Sequence, residues 1–573
     1  MPTLLSLILA AAVAWLDPAS VTPHQRGVCV TEWTGGERWE IPIEVMGVLD
    51  APGPERSAIL VRLDDPRFAD AGVAQGMSGS PVYVDGKLLG AVAFGWPFAR
   101  EPLAGVTPFT AMRTITAGGP STVARAPSLT DVAAVAARTM EPFAALPRLA
   151  VRSDATRPLI GVAGLPLPAD HSLDPFDRIG LAAVPAAGKI ALGGVPEAGE
   201  MVATELIWGD ALVAAAGTVT AREGDTLWAY GHPFLALGAV DMPAARARVL
   251  AVQTSYETPF KLFAIGDTFG RFVADRASGM LAKVSPPPDG LPVAVTVRDD
   301  SGATTWHFHA AAIPLLEPLL VTYLTNACLT ARGAGAGMAT VRMRLTIRLA
   351  DGRSTSLDQA SQGGDALARM AGLAGAAVGF LANSDFPHPP LAGVEIELER
   401  DERSRGAAIA EVVPDRTVVA PGERLEIRAR LLPIGEAGRD ARLEIKVPES
   451  LAAGRVDLIV ADGAAWSDYR IKSEGIDPAS FADQLEQVGA LESSRTLVAV
   501  IEGRASGVAG AGVSQPGLPP SWTATLATGL GTGGGVTRLQ TQVLASTRWS
   551  SPYPLAGAYR IPLTVRARTT EMP

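Results

Sequence analysis

Apolar and polar residues alternate near the start of the chain with the two-residue period of half-buried β-strands. Ile41, Ile43 and Val45 alternate with glutamate and proline neighbours, so one of their strand's two faces is apolar. The apolar run over residues 58–63 predicts a second short strand. The pattern therefore predicts β structure from about residue 38 to about residue 113.

A β-hairpin is predicted where two apolar runs, residues 82–84 and 88–94, flank the dipeptide Asp85-Gly86. Both residues of this pair tolerate the positive φ that a type I′ turn requires. A second β region extends from about residue 196 to 309. Within it, the segment Gly217–Phe234 predicts a strand, a Gly-Asp turn and a second strand that ends at His232.

The second half of the chain mixes helical and strand periods. Residues 315–331 carry apolar side chains at helical spacing, and residues 341–349 alternate apolar residues with arginines, which predicts a strand with one solvated face. The apolar, glycine-rich run over residues 366–382 contains an arginine and predicts a buried helix rather than a membrane span. From about residue 411 onward, short alternating strands such as residues 425–431 predict a β-sandwich.

These patterns together predict a mainly β protein with a double β-barrel and a C-terminal β-sandwich-like domain that includes a few helices. The predicted divisions are a signal peptide over 1–20, a barrel half with Ser78 over 21–120, a connection over 121–195, a barrel half with His232 over 196–310, a helix-strand-helix extension over 311–405 and the sandwich-like domain over 406–573.

Composition and charge narrow the class of protein. The 573 residues include 47% apolar and 19% charged residues, which indicates folded domains rather than a disordered chain. The net charge of -10 disfavours nucleic acid and anionic membrane surfaces as partners. The 60 glycines and 45 prolines agree with a chain of many short strands and turns.

The N-terminus resembles an export signal. An apolar run from Leu4 to Ala14 ends in a small-x-small site and is too short to span a bilayer permanently. We therefore expect an exported protein, periplasmic, secreted or at the cell surface, although the run has no preceding Lys or Arg. Cys29 and Cys328 form either a disulfide or two buried thiols, and the sequence alone leaves both open.

The segment Gly76-Met77-Ser78-Gly79-Ser80-Pro81 carries the strongest candidate chemistry. A serine hydroxyl becomes a nucleophile when a base removes its proton and when donors stabilise the oxyanion. Flanking glycines allow a turn in which the N–H groups of Gly76 and Ser78 point at one spot. Among the six histidines, His232 is the best candidate base, because it follows a strand and a glycine.

The stretch around this motif resembles the catalytic segment of the SpoIVB peptidases, chymotrypsin-like serine peptidases of the PA clan. The resemblance covers two blocks, about residues 26–115 and 196–300. It implies a chymotrypsin-like fold with Ser78 as nucleophile, His232 as base and Asp65, in an Asp-Pro pair, as the triad acid. It also implies a protein or peptide as substrate.

The order of the two blocks departs from the family's pattern, because here the histidine block follows the serine block. The halves of the barrel pair are therefore predicted to be permuted, which a triad defined by geometry permits. Asp65 also lies slightly closer to the serine than in the family. Asp64 and Asp241 remain alternatives for the acid.

The strand that follows Ser78 resembles the one that chymotrypsin-like enzymes place beside the nucleophile. There, the exposed backbone edge pairs with the substrate as an added strand. This resemblance marks Phe94, Gly95 and Trp96 as substrate-binding candidates.

Metal chemistry has little support in the sequence. His307 and His309 lie on one face of a short strand, but no third histidine or cysteine pair stands at a spacing that completes a zinc site. No phosphate loop or dinucleotide fingerprint is present. We expect neither a metal nor an organic cofactor.

Two functions remain open at this stage. The first is a serine endopeptidase that acts on proteins outside the cytoplasm through an acyl-enzyme, with the C-terminal domain docking an envelope partner. The second is a catalytically inactive peptidase fold that serves as a binding or scaffolding module of the cell envelope.

Overall fold

The computed structural model describes residues 13–49, 58–68, 72–96, 98–121, 127–148, 158–166, 175–255, 259–332, 337–474, 478–510, 513–528 and 537–567. Strands dominate, so the prediction of a mainly β protein is confirmed. The chain divides into two compact units. The first comprises Met1–Ala124, Arg148–Pro292 and His307–Leu316, and the second comprises Arg125–Pro147, Val293–Trp306 and Glu317–Pro573.

The first unit begins with a closed six-stranded barrel in the order β1-β2-β3-β6-β5-β4. Its side chains alternate as the sequence predicts, since Ile41, Ile43 and Val45 are fully buried in its core. A short helix, α1 (Phe109–Met112), follows the last strand. The strands are β1 (Arg26–Glu32), β2 (Arg38–Leu49), β3 (Ala58–Leu63), β4 (Pro81–Val84), β5 (Lys87–Phe94) and β6 (Leu103–Pro108).

The hairpin between β4 and β5 is confirmed. Asp85 and Gly86 both have positive φ, 50° and 71°, as a type I′ turn requires. The turn twists in the same sense as the strands it joins. It therefore sets the register in which β4 and β5 pair.

A second closed circuit of six strands follows in the same unit. Pairings run in the order β9-β12-β13-β14-β11-β10 and return from β10 to β9, so the first unit contains two β-barrels. Two further strands, β7 and β8, extend from β10. The strands are β7 (Leu159–Ala163), β8 (Ala182–Pro185), β9 (Met201–Gly209), β10 (Leu212–Glu223), β11 (Thr226–Ala229), β12 (Gly238–Gln253), β13 (Phe260–Arg276) and β14 (Gly279–Val284).

The prediction that a strand ends at His232 is wrong. Strand β11 ends at Ala229, and the next two residues, Tyr230 and Gly231, have φ of 70° and 66°. This left-handed conformation is incompatible with a strand. His232 therefore lies in the loop between β11 and β12.

The second unit contains a sheet flanked by helices. The helices predicted over 315–331 and 366–382 are confirmed, and the second is buried along its whole length. The sheet order is β18-β17-β19-β15, with β15 parallel to β19. The elements are α2 (Leu129–Ala136), β15 (Leu291–Asp299), β16 (Gly302–Ala310), α3 (Glu317–Ala331), β17 (Ala339–Leu349), β18 (Ser354–Gly363), α4 (Ala366–Ala382) and β19 (Leu391–Asp401).

The remainder of this unit is the predicted β-sandwich. One sheet has the order β23-β22-β20-β28, the other the order β21-β29-β24-β25-β26 with β27 beside β25, and residues of both sheets form one apolar core. The elements are β20 (Ala407–Pro414), β21 (Val418–Val419), β22 (Arg424–Pro433), β23 (Arg439–Lys446), β24 (Gly454–Asp462), α5 (Gly463–Glu474), α6 (Phe481–Gly489), β25 (Thr496–Gly510), β26 (Val513–Pro516), α7 (Pro520–Thr528), β27 (Thr537–Ser550), β28 (Leu555–Ala556) and β29 (Ala558–Val565).

The structure answers the question of the cysteines, which the sequence left open. Cys29 and Cys328 are buried thiols that no disulfide joins. Within the described ranges, no helix combines the length and the apolar character needed to cross a membrane. Most of the apolar run at the N-terminus lies outside the described residues. Its last residue, Ala14, accepts the Leu88 N–H of β5, and the Leu16 N–H just beyond the run donates to the Leu88 oxygen.

Candidate functional site

Ser78 lies in a tight turn that precedes β4 in the first barrel. Gly76 and Gly79 on either side have φ of 91° and 94°, a conformation that side chains with a Cβ rarely adopt. Gly79 has a second constraint: a Cβ there would lie 1.9 Å from the Thr218 carbonyl oxygen of β10. The glycines are therefore needed for both the turn and its close approach to the second barrel.

Two backbone N–H groups of this turn have no acceptor in the part of the chain that the structure describes. The N–H groups of its other residues donate to carbonyl oxygens of the fold, whereas those of Gly76 and Ser78 donate to none of the described residues. They are the pair that the sequence marked as an oxyanion hole. Unbonded N–H groups two residues apart beside a serine hydroxyl are what a developing oxyanion requires. The groups that donate elsewhere are those of Gln75, Met77, Gly79 and Ser80.

The carbonyl groups of the same turn bind the second barrel. The Thr218 N–H donates to the Ser78 oxygen at 2.7 Å, and the Thr218 hydroxyl donates to the Gly76 oxygen at 2.9 Å. The Thr220 hydroxyl donates to the Gly79 oxygen at 2.8 Å. These three bonds hold the serine turn against β10, whose Gly217-Thr218-Val219-Thr220 stretch belongs to the predicted histidine block.

His232 lies in the loop that follows β11, close to the strand after Ser78. A Cβ on the neighbouring Gly231 would lie 2.9 Å from both the Ala91 Cβ and the Val92 oxygen of β5. The Thr107 hydroxyl of β6 donates to the Gly231 oxygen at 2.6 Å. The loop that carries His232 is thus packed onto the serine-bearing barrel.

The hydrogen bond of the His232 ring determines its tautomer. Nδ1 lies 2.7 Å from the Pro233 carbonyl oxygen, an acceptor, so the neutral ring carries its proton on Nδ1 and leaves the Nε2 lone pair available. Burial lowers the pKa of His232, against the opposing effects of this hydrogen bond and of the Asp275 charge. A neutral imidazole with a free Nε2 is the form that acts as a general base.

Among the described residues, no hydrogen bond joins the Ser78 hydroxyl to the His232 ring. The structure therefore brings the serine turn and the histidine loop to the same junction of the two barrels without joining the two side chains. Such bonds are often long in enzymes without substrate.

Asp65 has another partner. It stands at the start of a short 3-10 turn, Pro66–Phe68, where its carboxylate binds the Arg67 guanidinium at 2.6–3.1 Å. The hydrogen bonds from Arg67 lower the pKa of the Asp65 carboxyl. Asp64 pairs in the same way with Arg26, and Asp241 with Arg271. Each of these aspartates is thus neutralised by an arginine.

Asp275 is a buried carboxylate beside the loop of His232 and a candidate for the triad acid. It was not identified from the sequence. It is 1% exposed and accepts backbone N–H groups from residues just after His232. Its only sequence signal is an acidic residue in an otherwise buried part of β13. Nothing in the sequence reveals that this strand lies beside the loop of His232.

A buried amine lies under the serine turn. Lys261 is 3% exposed, its side chain contacts the Gly76 position, and its Nζ donates to the Thr31 hydroxyl at 2.8 Å. Burial lowers the pKa of Lys261 to about 7, although the nearby Glu32 charge opposes this effect. The Ser80 hydroxyl donates to the same threonine at 2.7 Å, so the amine belongs to the support of the turn.

The substrate-edge candidates stand at the end of β5. Phe94 and Trp96 are exposed, 42% and 45%, and their rings contact each other edge to face at 5.4 Å. Gly95 packs closely against Val73, since a Cβ there would lie 2.9 Å from the Val73 Cβ. The rings of Phe94 and Trp96 are therefore the accessible part of this segment, and Gly95 between them packs on Val73.

Of the two histidines on β16, His309 has structural partners for its ring. His309 stacks on Trp208 at 5.6 Å, and its Nδ1 lies 2.8 Å from the Asp289 oxygen. The backbone N–H of His307 donates to Asp210. In the part of the chain that the structure describes, no group of three or more metal-ligating side chains is found.

The segment that forms the first barrel matches a known protein family. Residues 21–109 match the family of SpoIVB peptidases S55. The match includes Ser78, Asp65 and the strand that ends at Phe94, and it stops before His232. No curated protein matches the chain, and no solved structure does.

Proposed function

We propose that this protein is a serine endopeptidase of the SpoIVB type. The observation that carries the proposal is the serine turn, in which the N–H groups of Gly76 and Ser78 have no acceptor among the described residues while its carbonyls bind the barrel of His232. Free N–H donors beside a serine hydroxyl are the groups that an oxyanion hole requires. The family match over residues 21–109 supports the same activity.

The proposed reaction follows from this geometry. The Ser78 oxygen attacks the carbonyl carbon of the scissile peptide as Nε2 of His232 takes the hydroxyl proton. The N–H groups of Gly76 and Ser78 hold the oxyanion, and His232 then passes the proton to the leaving amine. Water activated by the same ring hydrolyses the acyl-enzyme and restores the hydroxyl.

Substrate binding is proposed at the end of β5. An extended peptide pairs there as an added strand, and the rings of Phe94 and Trp96 contact its apolar side chains. Burial of an aromatic side chain contributes about 1–3 kcal/mol to binding. The substrate class is therefore proteins or peptides with apolar residues near the cleaved bond.

The test is labelling of the full chain with a fluorophosphonate serine probe. We expect wild type to be labelled and both Ser78→Ala and His232→Ala to fall to background, because the nucleophile or its base is lost. Ser356→Ala and His24→Ala, at exposed positions, are the controls and keep wild-type labelling. A folded wild type that stays unlabelled would instead support the inactive binding module.

Export and a role of the C-terminal sandwich in docking an envelope partner are further proposals. The support for export is the apolar N-terminal run with its small-x-small site. N-terminal sequencing of protein recovered from outside the cell tests it. A chain found only inside the cell with residue 1 intact would contradict export.

A further inference from the structure

The loop that carries His232 is held by one buried carboxylate, that of Asp275. This residue lies one position before the end of β13 and pairs with Gly238, the first residue of β12. Its side chain therefore points into the loop between β11 and β12, in which His232 stands. The residue is 1% exposed.

Both oxygens of this carboxylate accept backbone N–H groups from that loop. Oδ1 accepts the Phe234 N–H at 2.7 Å, and Oδ2 accepts those of Leu235 at 2.8 Å and Leu237 at 3.0 Å. All three donors follow His232 within five residues. Burial raises the pKa of the Asp275 carboxyl, while the three N–H bonds and the nearby His232 oppose that rise. N–H groups that bind an ionised carboxylate make short, strong bonds, so Asp275 determines the path of the backbone immediately after the histidine.

The loop needs such an anchor because its backbone is strained. Tyr230 and Ala236 have φ of 70° and 56°, a left-handed conformation that costs residues with a Cβ about 1–2 kcal/mol each. Conformations of this kind persist only where the surroundings over-determine them, and they cluster at functional sites. Asp275 accepts three of the hydrogen bonds that hold the loop in this conformation.

The charge of Asp275 also lacks a basic partner. Asp65, Asp64 and Asp241 each form an ion pair with an arginine, whereas no lysine or arginine of the described residues forms one with Asp275. Its charge instead favours protonated His232, against the burial that lowers the pKa of that ring. Tyr230, in the same loop, has a buried phenol whose pKa is raised by burial, and its ring contacts that of His232 edge to face.

We propose that Asp275, not Asp65, is the acidic residue that positions His232 and stabilises the imidazolium formed during acylation. The proposal rests on the proposed peptidase function. Asp275 acts through the loop and through its charge, because Nδ1 of His232 donates to Pro233 and not to the carboxylate. It is therefore a positioning residue.

The test compares three aspartates by the rate of fluorophosphonate labelling as a function of pH. For Asp275→Asn we expect a rate at least about tenfold lower and an acidic limb displaced to lower pH, because removing a negative charge lowers the pKa of a neighbouring imidazole. Asp65→Asn and Asp241→Asn are the matched controls and should keep both the rate and the limb of wild type. A purely structural role would lower the folded fraction without moving the limb.

A second variant keeps the test decisive if Asp275→Asn does not fold. Asp275→Glu retains the charge but displaces the oxygens, so we expect a lower rate per folded molecule with the acidic limb unmoved, whereas a purely structural role would lower only the folded fraction. A wild-type profile for either Asp275 variant, or loss of rate in Asp65→Asn alone, would overturn the proposal. An unlabelled wild type would instead overturn the peptidase function itself.

Discussion

Gly79 shows how a single residue joins the two halves of the candidate site. Its φ of 94° and its position against β10 together exclude any side chain. The Thr218 oxygen and the Tyr230 nitrogen would lie 1.9 Å and 2.6 Å from a Cβ at this position. The serine turn can approach the histidine barrel this closely only because the residue after Ser78 is glycine.

We expect Gly79→Ala to destabilise the protein by more than about 4 kcal/mol, or to prevent folding, because the clash involves backbone atoms that cannot move alone. Gly86→Ala is the matched control. Gly86 also has a positive φ, 71°, but a Cβ there would meet nothing within 4 Å, so we expect a loss of only about 1–2 kcal/mol. Urea denaturation measures both losses of stability. Equal losses would show that the positive φ, and not the contact with β10, determines the cost of a side chain at Gly79.

At the scale of elements, the buried helix α4 packs on α3 through its glycines. A Cβ on Gly375 would lie 2.0 Å from the Thr322 hydroxyl and 2.5 Å from the Pro318 oxygen. The same helix buries Arg369, whose guanidinium donates to the Val135 and Met140 oxygens and to Asp365. Arg369, whose presence disfavoured a membrane span in the sequence, thus has hydrogen-bond acceptors for its guanidinium inside the second unit.

Gly375→Ala tests this packing against intrinsic helix preference. Alanine favours a helix by about 1 kcal/mol over glycine, yet we expect a net loss of about 1–3 kcal/mol because overpacking outweighs that gain. Gly379→Ala, whose nearest contact would be Pro127 Cγ at 3.0 Å, should lose less. Thermal unfolding of both variants gives the ranking, and a more stable Gly375→Ala would refute the close approach of α3 and α4.

At the scale of the whole molecule, the buried Lys261 connects stability to pH. Its pKa is about 7 in the folded protein and 10.5 in an unfolded chain. Between these values the unfolded state binds a proton that the folded state does not. The free energy of unfolding therefore rises with pH above about 7, by at most about 1.4 kcal/mol per pH unit.

Lys261→Met should flatten this rise, because no titratable amine remains. The comparison belongs between pH 7 and 9, since the buried Cys29 thiol, with its pKa raised to about 12, gives the opposite slope above its unfolded value of 9.0. Lys87→Met, at the exposed first residue of β5, is the control and keeps the wild-type slope. The measurement is the urea midpoint against pH, and an unchanged slope in Lys261→Met would contradict a buried neutral amine.

Much of the architecture was predictable from local pattern. The Asp85-Gly86 hairpin, the helix over 366–382 and the alternating strand near residue 425 all appear as predicted. Each depends on residues close in sequence, whose periodicity and turn preference act before any distant contact forms. The Ser78 turn belongs to the same class, because its glycines lie beside it in the chain.

The tertiary structure alone decided how distant segments meet. The pairing of β9 with β10 closes the second barrel, Arg67 neutralises Asp65, and β13 brings Asp275 to the loop of His232. The sequence by itself determined the β class, the serine motif and the candidate base, since composition and short motifs carry that information. It left the acid open, because which carboxylate faces a histidine depends on strand packing that no local pattern encodes.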